Sequence, residues 1–243
     1  MLWAPSKTIQ IKCSECMLGH FCFPAQLDSS DVLLLDALTK ERVHLKRDEI
    51  LYRQGDVMNS LFSVRFGALK TEISIQSGHH QVLGFHLAGE IIGLDGIGED
   101  RYQTNAIALE DSEVCIIPFD EFEGLAERVP ALQHQFRHIV GKELNQDKRH
   151  LLSLGSLPAE RRLALFILNL DQRAKARGAV NHEFEFKMSR ADMGSFLGIT
   201  IETVSRLVKR FAEAGLIQIK QRSIKIIDMD GLYELAGELT QKD

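Results

Sequence analysis

The spacing of apolar residues changes along the chain and divides it into regions of different predicted structure. Residues 43–119 hold short apolar runs separated by glycine and aspartate, such as Leu61-Phe62-Ser63-Val64 before Gly67. Short strands at this spacing, with turn residues between them, are typical of a β-sandwich or β-roll. A short amphipathic helix is predicted before them, with Ser29 or Ser30 as its N-cap.

A single long helix is predicted over residues 130–155, because apolar residues recur there every three or four positions. One narrow apolar stripe on a long helix between two domains predicts a dimer seam, although packing on its own β domain would also explain it. Asp147 interrupts the stripe between Leu144 and Leu151. The residues predicted to form this seam are Phe136, Ile139, Val140, Leu144, Asp147, Leu151 and Leu154.

Two further helices are predicted close together near the C-terminus. Ser189 can cap a helix that has Asp192 in its first turn, and Gly198 allows a sharp turn after it. Thr200 can then cap a second helix, whose buried face would carry Val204, Leu207, Val208 and Phe211. This order predicts a helix-turn-helix, in which the second helix enters the major groove of DNA.

The exposed side chains of this second helix suit a DNA contact. Arg206 can bind guanine through two hydrogen bonds, Glu202 can accept one from cytosine, and Ser205 can bind several bases. Lys209 and Arg210 lie a turn later, where phosphate contacts are expected. Ser189 and Arg190 are further predicted DNA contacts, and residues 217–227 predict a hairpin wing with a basic tip.

The charge distribution agrees with this assignment although the net charge is −5. Residues 1–155 hold 15 Lys and Arg against 22 Asp and Glu, whereas residues 156–243 hold 14 against 12. Binding to phosphates requires a local cationic face and not a basic protein. The acidic average therefore does not exclude DNA binding by the second part of the chain.

Four cysteines are present, and three of them lie close together in sequence. Cys13, Cys16 and Cys22 follow a C-x2-C-x5-C pattern, and Cys115 comes in a predicted strand. Four thiolates can bind a zinc ion or an iron–sulfur cluster, while unrelated cysteines are the remaining explanation. The apolar neighbours Met17, Leu18, Phe21 and Phe23 would shield a cluster from solvent.

The chain is therefore predicted to have four parts. These are a cysteine-rich cluster-binding segment over residues 1–25, a β-roll over 26–129, the long helix over 130–155 and the winged helix-turn-helix over 156–243. No apolar run reaches the roughly 18 residues of a membrane span, and no secretory pattern is present. We expect a cytoplasmic protein without membrane association.

Taken together, these motifs resemble those of the CRP/FNR superfamily of bacterial transcription regulators, and within it the FNR group of oxygen sensors. The resemblance covers nearly the whole chain. Its most specific parts are the C-x2-C-x5-C pattern, residues 84–90 and 114–119, and Glu202-x-x-Ser205-Arg206. It implies an α+β fold with an N-terminal β-roll sensor domain of the cyclic-nucleotide-binding type, a long dimerisation helix and a C-terminal winged helix-turn-helix.

The resemblance also implies a function. Cys13, Cys16, Cys22 and Cys115 would hold a [4Fe–4S] cluster without oxygen, and oxygen would convert it to [2Fe–2S] and separate the homodimer. Asp147 matches the acidic residue that keeps cluster-free subunits apart. The helix with Glu202, Ser205 and Arg206 would read inverted repeats of TTGAT-type half-sites in double-stranded DNA. An activator of this kind would contact RNA polymerase.

Three other functions are less well supported by the sequence. A cyclic-nucleotide site needs an arginine in register after the Gly-Glu pair, and Arg101 falls out of that register, so a cyclic nucleotide is disfavoured. No nucleotide-binding glycine motif or catalytic motif is present, which argues against a redox enzyme or an electron carrier. A CRP-like regulator with a structural zinc or another small-molecule effector stays open.

Overall fold

The computed structural model describes residues 12–39, 41–74, 80–185 and 187–237. The chain forms two compact units, and the boundary between them lies at Asn145 and Gln146. The first unit is a β-roll with short helices, and the second is a helical domain with a small sheet. The α+β fold class predicted from the sequence is confirmed.

The first unit begins with two 3₁₀ turns, Cys13–Glu15 and Phe23–Gln26, followed by helix α1, Ser29–Leu38. Two four-stranded sheets form the roll, in the orders β1-β8-β3-β6 and β2-β7-β4-β5. The strands are β1 (Arg42–Leu45), β2 (Ile50–Tyr52), β3 (Ser60–Phe66), β4 (Ala68–Ser74), β5 (His80–Leu87), β6 (Ile91–Ile92), β7 (Asn105–Ala108) and β8 (Ser112–Pro118). Helix α2, Phe119–Ala126, follows and was not predicted.

The β1-β8-β3 part of the first sheet has one buried face and one polar face. Val43, Val114 and Val64 are buried in the core of the roll. Their neighbours Arg42, Cys115 and Ser63 lie directly opposite one another on the three strands. Because side chains alternate across a strand, these three residues share the other face of the sheet.

Helix α3 runs from Pro130 to Ser156, within one residue of the predicted end. Its first turns pack on the β-roll, where Leu132 is fully buried. Phe136 makes an edge contact with Phe122, with 5.2 Å between ring centroids, and lies 6.3 Å from Phe23. The beginning of this helix is therefore part of the core of the first unit.

The second unit contains α4 (Ala159–Ala176), β9 (Glu183–Glu185), α5 (Arg190–Leu197), α6 (Ile201–Glu213), β10 (Ile217–Lys220), β11 (Ser223–Ile226) and α7 (Met229–Ala236). The three strands pair antiparallel in the order β10-β11-β9. Strand β9 and helix α7 were not predicted, but the helix-turn-helix and its hairpin are present. This arrangement is a winged helix-turn-helix.

The N-cap of helix α1 differs from the prediction. Helix α1 is capped by Asp28 and not by Ser29 or Ser30, because the Asp28 carboxylate accepts hydrogen bonds from the N–H groups of Ser30 and Asp31. Among the described residues, none of the helices combines the length and the apolar character of a membrane-spanning segment. The four-part division stays a prediction, and its residues 1–11 and 238–243 lie outside the described residues.

Candidate functional site

The turn between α5 and α6 is built by local hydrogen bonds. Ser189 and Asp192 form a capping box, in which the Ser189 hydroxyl accepts from the Asp192 N–H at 3.1 Å and the Asp192 carboxylate accepts from the Ser189 N–H at 3.0 Å. Gly198 ends α5 in the left-handed conformation, at φ 62°. Thr200 then caps α6 by accepting from the Thr203 N–H.

Gly194 is a second glycine on which this turn depends, and its role was not predicted from the sequence. A Cβ atom at this position would lie 2.7 Å from the carbonyl oxygen of Ile199. Only a residue without a side chain allows α5 to approach the start of α6 so closely. The sequence signal that could have indicated this role is a residue without a side chain, Gly194, four positions before Gly198, the glycine of the turn.

Helix α6 has one buried face and one exposed face. Val204, Leu207, Val208 and Phe211 are buried, as predicted. The residues predicted to contact DNA through this helix are all exposed: Glu202, Ser205, Arg206, Lys209 and Arg210. The pKa of Glu202 is lowered by hydrogen bonds from its own backbone N–H and the Thr200 side chain, so its carboxylate is ionised and can accept a hydrogen bond.

Four of the predicted DNA contacts have partners within the chain. Lys209 lies 3.6 Å from Glu213, and Arg210 forms an ion pair with Glu160. The Ser189 hydroxyl belongs to the capping box, and Arg190 is half-buried with Nη1 3.7 Å from the Met193 sulfur. Their DNA contacts stay predictions, as do those of Glu202, Ser205 and Arg206. At the wing tip, Lys220 and Arg222 are exposed.

The four cysteines come from separate parts of the first unit. Cys13 begins the first 3₁₀ turn and Cys16 ends it, whereas Cys22 caps the second turn. Cys115 lies in the middle of β8, between Arg42 on β1 and Ser63 on β3. The Cys22 and Ser63 side chains are 3.0 Å apart, so the segment of residues 13–22, here called the cysteine segment, contacts the polar face of the sheet.

The thiols lie within electrostatic reach of one another. Burial raises the pKa of Cys22 to about 12 and that of Cys13 to about 11. Repulsion from Cys13 and Cys115 adds to the pKa of Cys22, while Cys115 and Cys16 add to that of Cys13. The pKa of Cys115 is raised by burial and by Cys16. Two of the four cysteines lie beside the same residue, because the Cys22 sulfur contacts the Ser63 hydroxyl and Cys115 is the cross-strand partner of Ser63.

The donor set suits a metal centre, but the thiols do not form a closed ligand set. All four are free of disulfides and partly buried, and four thiolates are suited to zinc or an iron–sulfur cluster. Across the described residues, however, no three His, Cys, Asp or Glu side chains lie close enough to hold a metal. The Cys13 sulfur instead contacts the Thr39 hydroxyl at 3.1 Å, and Cys22 contacts Ser63.

The residues predicted to shield the cysteines have different environments. Met17 is 92% exposed, whereas Phe23 is fully buried with its ring 4.7 Å from that of Phe122. Phe21 is partly exposed and packs on Gly89, where an added Cβ atom would lie 2.7 Å from its own Cβ. Phe23 and Phe21 thus fix the cysteine segment to the roll.

The residues of the predicted seam fall into three groups. Phe136 and Ile139 pack against the core of the first unit. Val140, Leu144 and Leu151 are exposed, and Leu152, which was not predicted, is 51% exposed. The remaining two residues, Asp147 and Leu154, lie in the second unit, where the Leu154 side chain approaches Gly198. Burial raises the pKa of Asp147. The seam stays a prediction.

The residues considered for a cyclic nucleotide make other contacts. Arg101 donates a hydrogen bond to the carbonyl oxygen of Gly55 at 2.7 Å, and the Glu90 carboxylate accepts one from the Leu87 N–H. The Tyr52 and Tyr102 rings stack at 3.8 Å and are buried in the roll. The exclusion of cyclic nucleotides stays a prediction that these contacts support.

Two regions of the chain match known protein families. Residues 42–129 match the cyclic nucleotide-binding domain family, and residues 161–235 match the Crp-like helix-turn-helix domain family. The transcriptional regulatory protein Btr of Bordetella pertussis is 46% identical over 93% of both chains. The fumarate and nitrate reduction regulatory protein of Escherichia coli is 37% identical over 93% of this chain and 91% of its own.

A solved structure agrees with these relatives. FixK2 from Bradyrhizobium japonicum has a TM-score of 0.75 at 27% identity, covering 82% of this chain and 98% of its own. The relatives are named as transcription regulators, which places this chain among DNA-binding regulators and not among enzymes. This chain belongs to the CRP/FNR family and is a transcription regulator of the FNR type.

Proposed function

We propose that this regulator senses oxygen through a [4Fe–4S] cluster held by Cys13, Cys16, Cys22 and Cys115. The observation that carries the proposal is the contact of the cysteine segment with the sheet beside Cys115, where the Cys22 sulfur lies 3.0 Å from the hydroxyl of Ser63, the cross-strand partner of Cys115. When bound, an iron–sulfur cluster of this kind supplies iron that reacts with oxygen. The protein supplies the thiols, limits their exposure to water and links them to α3.

The link to α3 is made by two adjacent residues. The Gln135 side chain donates a hydrogen bond to the backbone carbonyl of Cys22, and Phe136 packs near Phe23. The exposed apolar residues Val140, Leu144 and Leu151 follow on the same continuous helix. Cluster binding would therefore order α3 for dimer formation, and loss of the cluster in oxygen would favour monomers.

Dimer formation would in turn control DNA binding. Two copies of α6 must lie about one helical turn apart to read an inverted repeat, so a monomer binds only one half-site. Glu202, Ser205 and Arg206 are exposed at the beginning of α6, where side chains of a recognition helix meet base edges. We propose that they read TTGAT-type half-sites, and contact with RNA polymerase stays a prediction.

The test is to purify the full chain without oxygen and measure iron, acid-labile sulfide and the visible absorption band. Sedimentation would give the oligomeric state, and DNA binding would compare a TTGAT inverted repeat with a scrambled duplex, before and after exposure to air. We expect iron and sulfide, a dimer and specific binding that air removes. Cys115→Ser should lack all three.

Two results would contradict the proposal. Zinc without sulfide would favour the alternative of a regulator with a structural metal. Iron and sulfide together with equal affinity for both duplexes would favour an electron carrier over an oxygen-responsive regulator.

A further inference from the structure

An ion-pair cluster lies beside the predicted ligands, on the polar face of the sheet. Arg42 on β1 is the direct cross-strand partner of Cys115 on β8. A register shift in β3 between Val64 and Phe66 brings Arg65 to the same group of side chains. Glu113, two residues before Cys115 in β8, shares the face of Cys115 because side chains alternate along a strand.

Two guanidinium groups share one carboxylate in this cluster. Arg42 Nη1 and Arg65 Nη1 both donate to the same oxygen of Glu113, at 3.1 and 3.0 Å. The Arg42 side chain is only 8% exposed and that of Glu113 13%. His44 lies 3.7 Å from the other carboxylate oxygen. Arg42, Arg65 and Glu113 together carry one net positive charge, and an anion bound beside them would be stabilised by it.

Arg65 provides an independent indication of a missing acceptor. Its Nε atom is buried and has no hydrogen-bond partner. A buried N–H without an acceptor costs free energy, and native structures rarely leave one unsatisfied. Arg42 lies directly opposite Cys115 on the neighbouring strand, so the predicted ligand nearest to this group of charges is a cysteine sulfur.

We propose that Arg42 and Arg65 stabilise the anionic, metal-loaded form of the four-cysteine site, with Arg65 offering its Nε–H group as a donor to sulfur and Glu113 reducing the available positive charge. This inference rests on the proposed binding of a metal centre by the four cysteines. A divalent metal with four thiolates carries two negative charges, and a cluster on four thiolates is also an anion. Reduction potential and stability of such centres depend on nearby charge and hydrogen bonds.

The probe is Co²⁺ alone, added to the full apo-chain without oxygen, because its thiolate charge-transfer band reports the number of sulfur ligands. We expect Arg42→Gln and Arg65→Gln each to weaken Co²⁺ binding about tenfold, through loss of one nearby charge. Glu113→Gln should strengthen binding by a similar factor. Arg42→Lys keeps the charge and should stay closer to the unaltered chain.

Arg47→Gln is the matched control, because Arg47 is an exposed arginine just after β1 that pairs with Asp48 at 3.7 Å. If the ion-pair cluster of Arg42, Arg65 and Glu113 had a purely structural role, Glu113→Gln would weaken Co²⁺ binding as the arginine variants do. This result would overturn the proposal. Equal affinities in Arg65→Gln and Arg47→Gln would overturn it too, as would the absence of the charge-transfer band. If Arg42→Gln does not fold, the test still stands, because Arg65→Gln should lower the Co²⁺ affinity and Glu113→Gln should raise it.

Failure of the proposed function can be distinguished from failure of this inference. Anaerobic reconstitution that yields no iron and sulfide would refute the oxygen-sensing cluster, while charge-dependent Co²⁺ affinity would still support the role of the arginines. If an iron–sulfur cluster is reconstituted but the Co²⁺ affinity does not depend on these charges, the proposed function stands and the role of the arginines is refuted.

Discussion

The Gln135 side chain on α3 donates a hydrogen bond to the backbone carbonyl of Cys22, with 3.4 Å between Nε2 and the oxygen. This places a predicted cluster ligand in direct contact with the helix that carries the predicted dimer seam. The other side-chain atom of Gln135, Oε1, is buried without a partner. Gln135 therefore connects two functional segments that the sequence separates by more than a hundred residues.

Replacement of Gln135 by Ala is expected to loosen the cysteine segment. The lost hydrogen bond should lower the free energy of unfolding by about 1 kcal/mol. Since Cys22 would be held less firmly, a bound cluster should bleach faster in air. Denaturant unfolding and the decay of visible absorption measure the two effects.

The control is Gln133→Ala on the exposed side of the same helix. If this variant bleached as fast as Gln135→Ala, the contact with Cys22 would have no role in retaining the cluster.

Replacement of Gly89 by Ala should reduce metal loading. Gly89 has a positive φ of 87°, and its new Cβ atom would lie 2.7 Å from the Cβ of Phe21. The backbone strain alone costs roughly 1–2 kcal/mol, and the clash would in addition displace the cysteine segment. Iron and sulfide content after anaerobic reconstitution should fall well below that of the unaltered chain.

Gly98→Ala separates these two effects, because Gly98 has a φ of 88° and an added Cβ atom there would have no neighbour within 4 Å. The Gly98→Ala variant should have the same backbone strain but retain its iron after reconstitution. Equal iron loss in both variants would attribute the effect to backbone strain and not to the displaced segment.

The helix-turn-helix was predictable because its signals are local. The Ser189 cap, the Gly198 turn and the Thr200 cap each involve residues within a few positions of one another. The exposure of Arg206 followed from helical spacing alone. By contrast, Asp28 was missed as the cap of α1, because neighbouring aspartate and serine residues are equally suitable and only the backbone conformation chooses between them.

The surroundings of the cysteines depend on distant contacts and could not be predicted. Phe23 was predicted to shield a cluster, yet it is buried against Phe122 and Phe136. The proximity of Arg42 to Cys115 depends on the register between β1 and β8, which no local pattern fixes. The resemblance to the FNR group supplied the four ligands as a set, but it did not supply the ion-pair cluster beside them.

Arg206 and Lys209 are expected to differ in how their loss affects DNA binding. Arg206→Ala should cost about 1–3 kcal/mol and relax the preference at one base position, because a bidentate contact with guanine is lost. Lys209→Ala should weaken binding to all sequences and lower the dependence of affinity on salt. Binding to a set of single-base variants of the half-site at two salt concentrations separates the two effects.

A uniform loss with Arg206→Ala would show that this side chain contacts phosphate instead. If Lys209→Ala changed neither affinity nor salt dependence, its pairing with Glu213 would be its main role.

Asp147 is expected to make dimer formation depend on pH. Partial desolvation raises the pKa of its carboxyl already in one chain, so ionisation is less favourable than in water, and burial in a dimer seam would raise the pKa further. As pH falls toward this raised pKa, more of Asp147 is neutral and the cluster-free chain should dimerise more strongly. As pH rises above it, the two facing carboxylates ionise and the dimer should weaken.

Asp147→Asn fixes the neutral form, and in air it should lower the dissociation constant of the dimer about tenfold near neutral pH. Its dimerisation should also lose the part of the pH dependence that Asp147 contributes. Sedimentation of the cluster-free protein across a pH series measures both effects, and Asp120→Asn, a carboxylate on α2, is the control. If Asp147→Asn and Asp120→Asn gave the same dissociation constants at every pH, Asp147 would lie outside the interface, and the residues that oppose dimer formation would have to be sought elsewhere on α3.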